Sequence, residues 1–276
     1  MTTPYILDPK DGENEAEPYT PWKTMGLSMY WRMSRDCNRA IAARDSLSSV
    51  DKDGITSVSE KLIDKLKGDG PPVVVVNFDE SNSKDLEPGT GFSEFEFVTV
   101  AIKRGHWGRL IIHLPKQRAK DVALKEPTGY DDPDQEPGLL LLRSVIGQLL
   151  LYERDYRKAR RHDQDDCLIS EEYKDHDSIV RSLDRLREML PRLAKELPKG
   201  HTLPIIVDTA SLEPDERLNK ALRAVLSLPQ ELAKEAGRWA TFKVLANLPA
   251  YAKDDDIFSG IEHEYADATA LRAAAV

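Results

Sequence analysis

The chain has only two cysteines, Cys37 and Cys167, far apart and in no metal-ligand spacing. That excludes a disulfide framework and fits a reducing compartment. Its six histidines, His106, His113, His162, His176, His201 and His263, show no paired spacing for a metal. A Gly-x-Ser-x-Gly nucleophile elbow is absent, and so is a Cys–His nucleophile pattern. A basic surplus is also missing: 39 Lys and Arg stand against 48 Asp and Glu, a net charge of −9. Neutralising phosphates needs the opposite balance, which argues against a nucleic-acid partner. The one basic run, Arg154 to Arg161, is followed by Asp163, Asp165 and Asp166 and reads as a solvated helix face. No apolar run approaches the roughly 18 residues of a membrane span. Met1 to Glu17 is acidic and proline-containing, without the apolar centre of a secretory signal. The expectation is a soluble protein of the cytoplasm or nucleus.

What the chain does have is a pattern of short apolar runs between long helical ones. Hydrophobic residues at 40% and charged residues at 32% suit a globular protein. Pro71-Pro-Val-Val-Val-Val-Asn-Phe78 predicts a strand buried on both faces. Leu110-Ile-Ile-His-Leu114 and Leu203-Pro-Ile-Ile-Val-Asp208 predict two more, and Trp239 to Leu245 a fourth. Between them lie helical stretches. Helices are expected over about 24–45, from a capping pair Ser57 and Glu60 to Gly68, over 92–104, and from Leu139 to Arg161. Ile179, Leu183, Leu186, Leu190, Leu193 and Leu197 recur at helical spacing, with Pro191 expected to kink or split that helix. A further helix follows Pro214.

Strands alternating with helices imply a three-layer α/β fold. Its sheet is mainly parallel, of four or five strands, with helices on both faces and a helical N-terminal segment. Residues 1–20 read as a flexible tail and 21–252 as a single α/β domain, of which 21–70 is the helical lead-in. Residues 253–276 read as a C-terminal tail of polar turn and weak helix. Residues 115–138 form a long polar loop.

In open parallel sheets, ligands bind outside the carboxyl ends of the strands. Asp79, Glu80, Ser81, Asn82, Ser83 and Lys84 stand at the carboxyl end of the valine strand, and Asp208 ends another. Turn capping accounts for such residues without any ligand. Three functional readings go further.

First, residues 138–251 resemble the core of P-loop NTPases of the STAND or NACHT type. Leu142-Arg-Ser-Val-Ile-Gly-Gln-Leu-Leu150 looks like the helix after their second strand. Leu203 to Asp208 looks like their Walker B strand, and Phe242-Lys-Val-Leu-Ala-Asn-Leu-Pro249 like their sensor strand. The resemblance implies an Asp208 carboxylate that holds Mg²⁺ through water. It also implies a phosphate-binding loop after the valine strand, with Ser83 and Lys84 as cofactor-binding residues and ATP as ligand. The Gly-x-x-x-x-Gly-Lys-[Ser/Thr] loop itself is absent. Ser83 replaces the glycine, and Asp85 replaces the magnesium-binding hydroxyl. Thr209 and Ala210 stand where a catalytic glutamate usually follows the Walker B aspartate. The expectation is a degenerate module without efficient hydrolysis and with no catalytic residue, acting as a nucleotide-binding or regulatory scaffold for a protein partner.

Second, Asp79-Glu80 could itself be a strand-end Asp-Glu pair. That needs a phosphate loop within residues 1–72, and none is there. Third, Asp79-Glu-Ser-Asn-Ser83 resembles the Asp-x-Ser-x-Ser metal site of von Willebrand A-like domains. That resemblance implies Mg²⁺ on Asp79, Ser81 and Ser83, with Thr128 and Asp208 as further ligands, in a module that binds a partner protein. A purely structural interaction domain is the remaining alternative.

Overall fold

The computed structural model describes residues 37–38, 40–78, 93–105, 110–114, 136–159, 179, 181–197, 200, 202–213, 215–234, 240–248 and 256–273. Val73 to Val76 lie in strand β1 (Val73–Asn77), and all four valines are buried. Strand side chains alternate, so a strand buried on both faces needs apolar residues at every position. Val73 and Val75 enter one hydrophobic cluster and Val74 and Val76 the other. The sheet therefore separates two cores.

Four more strands join β1: β2 (Ile111–His113), β3 (Thr202–Asp208), β4 (Thr241–Asn247) and β5 (His263–Asp267). All pairings are parallel, in the order β2-β3-β4-β1-β5. The expected three-layer α/β fold with helices on both faces is what the chain adopts. β5 was not expected. The segment read as a C-terminal tail pairs along the whole of β1, from Val73 with His263 to Asn77 with Asp267. The boundary at 252 thus falls inside the sheet-forming region. His-Glu-Tyr-Ala-Asp lacks the apolar run of a central strand because β5 is an edge strand, with only Ala266 buried.

The core beside Val74 and Val76 receives helix α1 (40–46), α2 (Ser49–Lys67), α3 (Glu94–Gly105) and α7 (Ala268–Ala273). The core beside Val73 and Val75 receives α4 (Pro137–Ala159), α5 (Leu183–Lys195) and α6 (Glu216–Lys234). It also receives Ile257 and Phe258 of the 3-10 turn Asp256–Phe258.

Helix ends follow local chemistry. α2 begins eight residues before the expected Ser57, because Ser48 caps it by accepting from Asp51 N. Ser57 and Glu60 lie inside the helix. The reciprocal capping box is at α3. Ser93 Oγ accepts from Glu96 N at 3.2 Å, and Ser93 N donates to Glu96 Oε2 at 2.7 Å. Pro191 does not split α5, which continues to Lys195. The helix expected over 24–45 is described only from residue 37 onward. β4 begins at Thr241 rather than Trp239 and runs on to Asn247.

Candidate functional site at the carboxyl edge

Because every strand is parallel, the carboxyl ends Asn77, His113, Asp208, Asn247 and Asp267 lie along one edge. The order of strands decides where that edge opens. The connection from β1 runs back across β4 and β3 to β2, through α3 on one face. Every later connection runs the other way, over the opposite face. Opposite directions on opposite faces give all crossovers the same hand, as parallel βαβ units require. They also make β1 and β4 the switch point, where departing chains diverge and leave a crevice. Asp208 ends the strand next to β4 and is in register with Asn247.

Side-chain alternation sets what enters this crevice. Ile206, Leu245, Val76 and Phe78 pack in the α3-side core. Asp208 and Asn247 share the parity of Ile206 and Leu245 and so point to that same side. Both are buried. Asn247 Nδ2 donates to Asp208 Oδ1 at 3.0 Å, and Asn247 Oδ1 accepts from Phe78 N at 3.2 Å. One amide thus ties the end of β1 to the end of β3 across β4, using both of its polar ends. Asp208 Oδ1 also accepts from Ala210 N at 3.2 Å, an Asx turn that directs the chain out of β3. Thr209 N donates to Asn247 O at 2.9 Å. The Phe78 ring meets Phe95 of α3 with centroids 5.4 Å apart, closing the apolar floor.

Two hydroxyls beside this network, Thr209 Oγ1 and Ser211 Oγ, are buried without a hydrogen-bond partner. Thr209 is fully buried. Such groups are rare in native proteins and mark a place for water or a ligand atom. His113, at the end of β2, shares the parity of Ile111 and so belongs to the opposite face. Burial lowers its pKa to about 4, so it is neutral at physiological pH.

Of the residues singled out from sequence, Asp208 lies one strand from the switch point, bonded to Asn247 at the end of β4. Asp79, Ser81, Ser83, Lys84 and Thr128 fall outside the described residues. In the sequence Asp79 follows Asn77, the last residue of β1, by two positions. Asn247 stands in the sensor-like segment Phe242 to Pro249, where the sequence reading gives it no role of its own. Its signal was an isolated amide after Val244-Leu-Ala246, the same pattern that places Asp208 after Ile205-Ile-Val207. Among the described residues no group of three or more His, Cys, Asp or Glu is placed to hold a metal ion. No described helix is long and apolar enough to cross a membrane. Compared with known protein families, with curated proteins and with solved structures, the chain has no match.

Proposed function

We propose that the chain is a degenerate P-loop NTPase-like module that binds nucleotide at the β1–β4 switch point and acts by binding, as a regulatory or scaffold protein. The observation that carries this reading is the convergence of the ends of β1, β4 and β3 on one buried network, Phe78–Asn247–Asp208. The reading is supported by the order of strands, in which β1, after which the resemblance expects a phosphate loop, is one strand removed from β3, which ends in the carboxylate that it expects to serve Mg²⁺.

The donor set favours a nucleotide over a bare metal. Mg²⁺ is usually held by one or two carboxylates, with water and substrate phosphates completing its shell. Asp208 is a single carboxylate, and one of its oxygens already accepts two N–H bonds. That suits a cation arriving with phosphates. Turnover is not expected, because Thr209 stands where a water-activating carboxylate would be needed.

Thermal melts with Mg²⁺ alone, with Mg²⁺–ADP and with Mg²⁺–ATP test this, alongside phosphate release. A ligand at a hundredfold its Kd adds ~2.7 kcal/mol to the native state. The expected result is a rise in Tm with nucleotide and background phosphate release. Turnover abolished by Lys84→Ala would establish an active enzyme instead. A shift with metal alone that Ser81→Ala removes would favour the adhesion-type site. The absence of any shift would leave an interaction domain without a ligand.

A further inference from the structure

The carboxyl edge carries polar side chains on both faces of the sheet, and the two faces differ. On the α3 side, the Phe78–Asn247–Asp208 network has its bonds made. On the side of α4 and α6, three polar groups are buried and make no hydrogen bond among the described residues. They are Thr209 Oγ1, Ser211 Oγ and the His113 ring. Thr209 is fully buried and His113 is 8% exposed. Buried polar groups without partners are rare, and three at one edge of a parallel sheet point to a ligand.

Register brings the three together. The bond from Thr209 N to Asn247 O is the last rung of the β3–β4 ladder. Alternation therefore reaches Thr209 and sets its side chain on the face of Val207, opposite Asp208. Val207 enters the core of α4 and α6 and is in register with His113 of β2. Thr209 is thus one strand across from His113 and two residues further along. With strands ~4.8 Å apart and a rise of ~3.3 Å per residue, their Cα atoms lie about 8 Å apart, a gap that one small group can bridge. Ser211 follows in a turn closed by Leu212 N and Thr209 O at 3.0 Å, and Leu212 packs against the same core. Ser211 as a whole is only partly buried, so this turn links the buried hydroxyls to the surface.

The chemistry of the three groups is uniform. Two hydroxyls and an imidazole that burial keeps neutral can each donate and accept, and none brings a charge. In the first turns of α4 and α6, Glu136 is paired with Arg217 Nε at 2.6 Å, and Asp215 Oδ2 accepts from Leu218 N at 3.2 Å. A phosphate or a metal ion finds no opposite charge in His113, Thr209 and Ser211. An uncharged group with donors and acceptors side by side fits them. We infer that the carboxyl ends of β2 and β3 form a subsite on the α4 face, lined by His113, Thr209 and Ser211, that takes the uncharged nucleoside end of a nucleotide. This rests on the nucleotide reading of the switch point, which receives the phosphate end. The gap between β2 and β3 lies two strand spacings, ~10 Å, from the gap between β4 and β1, within the span of one nucleotide.

Such a subsite needs neither magnesium nor phosphate, so it can be tested by itself. Calorimetric titration of the full chain with adenosine, without Mg²⁺, is the direct test, run beside Mg²⁺–ATP and Mg²⁺ with inorganic tripolyphosphate. Adenosine should bind. Thr209→Val keeps the shape and removes the hydroxyl. Because that hydroxyl is buried without a partner, the variant's Tm without ligand should equal or exceed that of wild type. The same variant should bind adenosine and Mg²⁺–ATP about tenfold more weakly, the worth of one hydrogen bond, and tripolyphosphate as wild type does. Ser211→Ala should act in the same direction. Adenosine that does not bind means that internal water serves these groups, and overturns the subsite. Adenosine that binds Thr209→Val as tightly as wild type overturns it too. In both cases Mg²⁺–ATP that still binds leaves the switch-point reading standing. Adenosine bound through Thr209 in a chain that ignores Mg²⁺–ATP and tripolyphosphate keeps the subsite and overturns that reading instead.

Discussion

Asn247 concentrates the most consequence in one side chain. It is buried, and both of its polar ends are engaged, one with a backbone N–H and one with a carboxylate. Truncation by Asn247→Ala strips a donor from buried Asp208 and an acceptor from Phe78 N. Leaving buried polar groups unmet costs about 1–3 kcal/mol each, so chemical denaturation should show a loss of roughly 2–4 kcal/mol. Asn247→Asp keeps the shape but sets a second carboxylate about 3 Å from Asp208. One of the two must then hold a proton, which raises its pKa above the unfolded value. A raised pKa adds stability below the unfolded pKa that is lost as pH rises. This variant should therefore recover toward wild type as pH falls from 8 to 5, and equal destabilisation at both ends would refute the pairing. His113 gives the opposite slope in the native protein. Its folded pKa of about 4 lies below the ordinary 6.5 because burial disfavours the charged ring. Between those values the unfolded chain binds a proton that the folded chain refuses. Stability is full above pH ~6.5 and falls as pH drops toward 4, by about 3 kcal/mol at most. Urea titrations of wild type and His113→Gln across that window should differ in slope, and parallel curves would show that burial does not lower the pKa of His113.

At the scale of the element, α4 does two jobs that no single residue announces. Its apolar stripe of Leu142, Val145, Ile146 and Leu149 seals one core, and the periodicity of that stripe is plain in the sequence. Its polar residues Gln148 and Tyr152 plug the edge of β2, which depends on the docked height of the helix and leaves no periodic trace. Caps divide in the same way. Ser57 with Glu60 and Ser93 with Glu96 have the same spacing, yet only the second pair forms a capping box. The first is overridden because Ser48 starts α2 earlier and Ile55, Val58, Leu62 and Leu66 bury one continuous face. Gly138, in the first turn of α4, shows packing that composition hides. A Cβ there would sit 2.7 Å from Arg217 O of α6. Gly-to-Ala inside a helix ordinarily stabilises by about 0.5–1 kcal/mol. Here the neighbour is backbone, so the two helices must separate, and overpacking of this kind costs about 1–3 kcal/mol. Gly138→Ala should lower Tm with secondary structure retained. A raised Tm would mean that α4 and α6 do not approach this closely.

Across the whole molecule, β1 is central because of what it pairs with, and only half of that was legible. Four valines in a row announce a strand buried on both faces, and Asp208 after Ile205-Ile-Val207 announces the carboxyl end of another. The switch point was not legible, since the order of strands is a property of crossovers and not of any segment. β5 was hidden because a strand with one buried residue carries no apolar pattern, while its partner β1 carries enough for both. The sheet nevertheless depends on it. Ala266 and Ala268 enter the α3-side core, and Ile257, Phe258 and Ile261 enter the other. Lys65 Nζ reaches Glu264 at 3.1 Å, and Lys61 Nζ donates to Leu271 O, so α2 is fastened to both β5 and α7. A chain cut after 252 would lose all of these and leave β1, with its buried valines, as an open edge. Tolerance to truncation follows the burial and hydrogen bonding of the lost backbone, not its position in the sequence. Domain stability is only ~5–15 kcal/mol, and losing a paired strand with five buried apolar side chains removes a comparable amount. The chain ending at 252 should therefore aggregate or lose its cooperative urea transition, while one ending at 273 keeps it. A cooperative transition at an unchanged midpoint in the shorter chain would show that β5 is an accessory to the sheet and not part of its core.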